Sequence, residues 1–300
     1  MKKVLRTHGL SKVFGDQKAV NEVNINIFKG DIYGLIGQNG AGKTTFMRMI
    51  SGLAKPSSGT IELFEGDNLE LARRRMGCTI ESPALYPHMT ATENMMVYSK
   101  LLGLGKNKVI SDLLYLVGLS QTENKKAKDF SLGMKQRLMI AIALLGEPEF
   151  LILDEPMNGL DPLGIKEIRD LLLKLNMELG LTILVSSHIL DELSKLATRY
   201  GVISQGQLIK EFSNEELNSK GGKGIRLNVN EPKEALKLLH EHITIKTDQD
   251  NDDLIIFEDA NKCPEIVRLM VNNNIDVKSI SVQDQNLEEY FMTLVGGNIA

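Results

Sequence analysis

Eight consecutive residues, Gly37-Gln38-Asn39-Gly40-Ala41-Gly42-Lys43-Thr44, fit the spacing G-x-x-x-x-G-K-[ST] at every fixed position. That spacing serves a grip on a chain of phosphates. Glycine tolerates the turns that bring successive backbone N–H groups to one side, which makes a concave nest for an anion. Lys43 adds a point charge for the outer phosphates, and the Thr44 hydroxyl is an oxygen ligand for Mg2+. A helix beginning near Lys43 and running through Thr45 points its partial positive end at the same place. A second group of residues supplies what hydrolysis needs. Asp154 closes the apolar run Phe150-Leu-Ile-Leu153, where a carboxylate can position the metal. Glu155, its neighbour, can orient or deprotonate an attacking water. His188 closes Val185-Ser-Ser-His188 and can donate to a terminal phosphate.

The elements around these residues are those that would converge them. Asp31–Ile36 reads as a strand before the glycine loop and Thr44–Ile50 as a helix after it. Thr60–Phe64, Gly77–Ile80, Phe150–Leu153 and Leu181–Val185 read as further strands. Residues 83–146 turn helical, Leu163–Leu179 is a helix entered by Pro162, and Ile189–Thr198 is the next helix. Strands alternating with helices predict a parallel sheet covered on both faces, with ligands at the carboxyl ends of its strands. A glycine-rich linker at 220–224 follows. Beyond it the order is strand 225–229, helix 232–241, strands 243–247 and 254–257, helix 263–272 and strand 277–282. This β-α-β-β-α-β order is that of a small ferredoxin-like domain. A last helix, Leu287–Val295, closes the chain.

The 300 residues carry a net charge of −4, which gives no electrostatic reason to bind nucleic acid. No apolar run reaches the roughly 18 residues that span a bilayer, and the N-terminus lacks the apolar core of a signal peptide. The two cysteines, Cys78 and Cys263, form no disulfide framework. No long-period repeat and no second phosphate loop is present. His240 and His242 have no ligand set around them and read as surface residues. Asp248-Gln-Asp-Asn-Asp-Asp253 has aspartates at calcium-loop spacing but lacks the glycine at its sixth position, and reads as a solvated hairpin.

These residues in this order resemble the ATP-binding subunit of ABC transporters over about residues 1–219. Gly37–Thr44 resembles Walker A and Phe150–Glu155 Walker B. Ser131-Leu-Gly-Met-Lys-Gln-Arg137 stands where the ABC signature stands, Asn158-Gly-Leu-Asp161 is similar to the D-loop, and His188 to the switch histidine. Phe14 matches the aromatic that stacks on adenine, with Val20 packed nearby. Two departures are visible. The signature LSGGQ is here Phe130-Ser-Leu-Gly-Met134, which keeps the Ser131 hydroxyl and the Gly133 N–H that serve the γ-phosphate. The Q-loop glutamine is Glu81, a carboxylate that ligates Mg2+ more strongly than an amide and adds negative charge beside the phosphates.

The resemblance implies an α/β fold: a P-loop cassette with an antiparallel β subdomain and a helical subdomain at about 83–145. The small α+β domain spans 225–300. It implies ATP and Mg2+ as ligands, with Thr44, Glu81 and Asp154 on the metal. The nucleotide lies between Gly37–Thr44 of one copy and Ser131, Gly133 and Asp161 of a second. Partners are therefore a second ATP-binding subunit and a separate transmembrane permease, at the inner face of the cell membrane. Glu81-Ser-Pro-Ala-Leu-Tyr86 together with the signature variant is similar to the bacitracin- and lantibiotic-transport group, whose expected activity is export of a peptide antibiotic or other amphiphile. The alternative from another class is a soluble ATPase that remodels ribosomes or DNA; such proteins usually carry two cassettes in one chain or long coiled-coil insertions.

Overall fold

In the computed structural model, β1 (Lys3–Phe14), β2 (Gln17–Val23) and β3 (Asn26–Phe28) form an antiparallel sheet with β1 at its centre. The next strand, β4 (Ile32–Ile36), belongs to a second sheet and leads into α1 (Lys43–Ser51). Strand β5 (Ser58–Leu63) returns to pair with β1. After α2 (Leu69–Arg73) and β6 (Met76–Thr79) come three helices, α3 (Ala91–Leu101), α4 (Asn107–Leu116) and α5 (Leu132–Leu144). Then follow β7 (Phe150–Leu153), α6 (Pro162–Leu179), β8 (Thr182–Ser187), α7 (Leu190–Ser194), β9 (Arg199–Ser204) and β10 (Gln207–Ser213). The structure describes residues 2–66, 68–81, 85–104, 107–122, 124–214, 216, 224–242, 247–250, 253–257 and 260–283.

The second sheet runs β10-β9-β4-β8-β7-β6, and β4, β6, β7, β8 and β9 pair in parallel. Every residue of β4, β7 and β8 is buried, as a parallel sheet covered on both faces requires. One apolar core joins the two sheets through α1. Phe46, Met47, Met49 and Ile50 are fully buried with Leu5, Leu10 and Ile25 of the first sheet region and with Phe150, Ile152 and Leu184 of the second. The helix that follows the glycine loop is thus wedged between both sheets. Helix α3 opens with a complete capping box, Thr90 accepting from the Glu93 N–H and Glu93 from the Thr90 N–H.

Two differences from the sequence reading have local causes. The helix expected over Ile189–Thr198 ends at Ser194. Thr198 is instead drawn to the sheet, its N–H bonding the Ile32 carbonyl at 2.8 Å while its hydroxyl accepts from the Ile32 N–H at 3.1 Å. Strands β9 and β10 were not expected, although Tyr200-Gly-Val-Ile203 and the Gln205-Gly206 turn carry the signal of a hairpin. Cys78, half-buried against the core, has its thiol pushed up to about 12 by burial and stays protonated.

Tyr33, wholly buried on β4, donates to Glu211 at 2.7 Å. Burial pushes the Glu211 carboxyl above its ordinary value, against the lowering effect of Tyr33, the Asn26 backbone and Arg199. A raised acid stabilises the fold below its unfolded value and loses that contribution as pH rises through the folded one. Glu211→Gln, which keeps the acceptor for Tyr33 without the charge, is expected to melt higher than the unsubstituted protein at pH 8. The difference should vanish toward pH 4 in thermal unfolding followed by circular dichroism.

The chain divides into two compact units, Met1–Glu211 and Phe212–Ala300. In the second, β11 (Gly224–Val229), α8 (Pro232–His242), β12 (Thr247–Asp250), β13 (Asp253–Phe257), α9 (Cys263–Asn272) and β14 (Val277–Gln283) follow in order. The sheet order β12-β13-β11-β14, antiparallel throughout, is the ferredoxin-like arrangement. Its core gathers Ile225, Leu227, Leu239, Leu254, Ile266 and Met270. Of the acidic run, Asp248 and Asp250 lie on β12 and Asp253 on β13, and Asp250 pairs with Asp253. Of the expected linker 220–224 only Gly224 is described, opening β11. The expected strand 243–247, apart from Thr247, and the helix Leu287–Val295 lie outside the described residues.

Candidate active site

Three neighbouring strands end together. Ile36 of β4 is level with Ser187 of β8, and Leu153 of β7 is level with Val185. The glycine loop, the Asp154–Glu155 pair and the Ser186–His188 segment therefore leave the sheet at one edge, where ligands of parallel sheets gather. The loop is shaped by close approach. A Cβ on Gly37 would stand 2.4 Å from the Ile203 carbonyl, and one on Gly42, at φ +109°, 2.4 Å from the Ala19 carbonyl. Helices α2, α3, α5 and α6 each start under a side-chain cap, whereas α1 starts at Gly42 with none and with no acid in its first turn. The N–H groups of its first turn have no helical partner and are suited to an anion.

Lys43 is 5% exposed. Its ammonium donates to the Gly37 carbonyl at 2.6 Å and the Gln38 carbonyl at 3.3 Å, and lies 3.2 Å from Glu155 Oε1 as an ion pair without hydrogen-bond alignment. The other Glu155 oxygen meets His188 Nδ1 at 2.7 Å. Thr44 donates to Asp154 Oδ2 at 2.7 Å, and Ser186 donates to Asp154 Oδ1 at 2.6 Å. Ser186 also accepts from the Glu155 N–H at 2.9 Å. That bond holds Glu155 at φ +49°, a left-handed setting that costs a non-glycine residue about 1–3 kcal/mol. One turn thereby sends Asp154 to Thr44 and Glu155 to Lys43 and His188. Ser186 was not singled out in the sequence, although it stands two residues before His188.

A cavity of about 540 Å3 opens over the loop, lined among others by Gln38, Gly40, Lys43, Thr44, Glu155 and the ring of Phe14. Asn39, Gly42 and Thr45 also line it, while Gly37 and Ala41 do not. Phe14 is 54% exposed, with the Lys12 ammonium 5.0 Å from the centre of its ring, and offers an aromatic face to a flat ring. Val20 is fully buried in the core and does not line the cavity; Gln17, Lys18 and Ala19, just before it on β2, do. Ser131 caps α5, accepting from the Met134 N–H at 3.2 Å, and Asp161 caps α6, accepting from the Gly164 N–H at 2.9 Å. With Gly133 they line a second cavity of about 390 Å3, which shares no residue with the first.

The family model described as "ABC transporter" matches residues 20–158. The bacitracin transport ATP-binding protein of Bacillus licheniformis is 42% identical over 99% of this chain and 99% of its own length. The chain belongs to the ABC transporter ATP-binding subunits. A lantibiotic transport ATP-binding protein of Streptococcus pyogenes is 45% identical over 71% of this chain and 93% of its own. Among solved structures, a dimeric ATP-binding cassette in a post-hydrolysis state with ADP and Pi is 27% identical with a TM-score of 0.62, covering 70% of this chain and 98% of that one. The protein is an ATP-binding and ATP-hydrolysing transporter subunit.

The cassette's residues fit a polyphosphate and its metal. The uncapped α1, the buried ammonium and the glycine contacts at Ala19 and Ile203 make the anion cradle. Thr44 and Asp154 provide paired oxygens suited to a hard cation that keeps waters and phosphate oxygens as its other ligands. The expected third metal residue, Glu81, is not brought to them. It is 60% exposed, left-handed at φ +60°, and bonded to Arg48 of α1. Among the described residues no three His, Cys, Asp or Glu side chains group as a ligand set.

Proposed function

We propose that the chain is the motor of a bacterial exporter. Two copies would close on ATP and drive a separate membrane-spanning subunit at the inner face of the cell membrane, with a peptide antibiotic or similar amphiphile as cargo. The observation that carries the shared site is the separation of the two cavities. Lys43 and Glu155 line one, Ser131 and Gly133 the other, so within a single copy the signature does not line the phosphate-loop cavity. A two-fold pair completes both sites at once, and the solved relative that is dimeric with ADP and Pi supports such a pairing. Similarity to the bacitracin transport protein runs through both compact units and supports the cargo class. Among the described residues no helix is long and apolar enough to cross a membrane, and the crossing is assigned to the partner.

In this mechanism Lys43 exchanges the Gly37 and Gln38 carbonyls and Glu155 for phosphate oxygens. Glu155, released by Lys43 and still held by His188, orients the attacking water and accepts its proton. Ser186 fixes Asp154, and Asp154 with Thr44 would hold Mg2+, whose charge offsets that of the phosphates. Ser131 and Gly133 of the second copy donate to the γ-phosphate. Ser131→Asp keeps the α5 cap but sets a negative charge against that phosphate. It is expected to bind fluorescent ATP as the unsubstituted protein does, yet to lose ATP-driven dimerisation and hydrolysis about tenfold or more. Unchanged hydrolysis would overturn the shared site. For the cargo, expression together with its membrane-spanning partner should raise the resistance of a sensitive host to cyclic or lanthionine peptides. Unaltered resistance refutes that cargo, and copurification with ribosomes refutes transport.

A further inference from the structure

Arg48 stands one helical turn after Thr44 on α1, so the two side chains share a face of that helix. Each bonds a carboxylate from the neighbouring strand ends: Thr44 bonds Asp154, and Arg48 bonds Glu81. Strands β6 and β7 run side by side with Thr79 level with Leu153, and the Asp154 N–H bonds the Thr79 carbonyl at 2.9 Å. Glu81 therefore leaves its strand alongside the Asp154–Glu155 turn. About 6 Å of helix, four residues at a rise of about 1.5 Å each, separates the two bonding positions on α1.

We propose that Arg48 is a positioning residue: it holds the Glu81 carboxylate one turn away from the Thr44–Asp154 pair, and a divalent cation seated at that pair competes with Arg48 for Glu81. The inference rests on the nucleotide-and-metal reading of the site. Glu81 then has two positions, one in the Arg48 fork and one at the metal. The charge makes the exchange possible, because a carboxylate pairs with a guanidinium far better than an amide does and is also the stronger ligand for a hard cation. The strength of the pair makes the exchange reversible. Arg48 and Glu81 side chains are 38% and 60% exposed, and pairs so solvated shift an equilibrium by only about two- to fivefold. A buried pair would lock Glu81 in place.

A double-mutant cycle tests this. Mn2+ is titrated into the whole protein with a saturating non-hydrolysable ATP analogue, and free Mn2+ is read by its electron paramagnetic resonance signal. Arg48→Met should tighten Mn2+ binding about two- to fivefold while Glu81 is present. The same substitution combined with Glu81→Gln should give no gain over Glu81→Gln alone. Arg48→Lys, which keeps the charge but not the fork, should fall between. Equal effects of Arg48→Met in both backgrounds, or no effect in either, would overturn the proposal. If none of the proteins, the unsubstituted one included, bound Mn2+ with the analogue, the nucleotide reading itself would fall.

Discussion

Glu155→Gln is expected to bind ATP at least as tightly as the unsubstituted protein and to hydrolyse it about 10²- to 10⁴-fold more slowly. The amide keeps the size of the side chain and a partner for His188, which sits 2.7 Å away. It loses the basicity that takes a proton from water, and it loses the ion pair to Lys43. Both changes act in one direction on the complex. Lys43 no longer leaves a carboxylate to reach phosphate, and the bound nucleotide persists. Since ATP is part of the proposed interface, the closed pair should accumulate by mass action. Size-exclusion chromatography with MgATP reads this directly, with a shift to twice the monomer mass that is absent with ADP. A variant that stays monomeric and hydrolyses ATP at the unsubstituted rate would remove Glu155 from the reaction.

The sequence exposes this site unevenly, and the reasons are physical. Residues whose chemistry needs a fixed spacing along the chain are visible without coordinates: the glycine loop constrains its own backbone, and Asp154 must end a buried strand. The parallel sheet follows from apolar runs such as Phe150–Leu153, which the structure reproduces to the residue. Residues that work through a partner far away in sequence are not visible. Ser186 gains its place only because β7 and β8 run in register, and Arg48 only because α1 passes the end of β6. Val20 illustrates the converse. The sequence sets it beside the adenine ring, but the fold buries its side chain in the core and leaves Lys18 and Ala19 to the cavity. Glu81 shows that identity and position are separate questions. Its type marks a departure from the family, whereas the Arg48 pairing that gives the departure a physical partner emerges only from the fold.

Lys43→Ala should abolish productive nucleotide binding, lowering affinity for fluorescent ATP by about 10- to 100-fold or more, the worth of one or two hydrogen bonds to a charged group. The structure gives this residue two tasks, and the substitution separates them. Without nucleotide, the ammonium satisfies the Gly37 and Gln38 carbonyls and sits against Glu155. Its removal leaves two loop carbonyls and a largely buried carboxylate without their cation, which costs stability as well as affinity. The melting temperature of the nucleotide-free variant should therefore fall, with circular dichroism at room temperature unchanged. Lys43→Arg distinguishes the tasks further. The guanidinium keeps the charge, but its rigid fork does not fit a pocket built for one compact ammonium 2.6 Å from a carbonyl. It should lose affinity nearly as far as alanine does. Affinity preserved in Lys43→Arg would mean that charge alone, rather than the shape of the glycine loop around it, selects the phosphate.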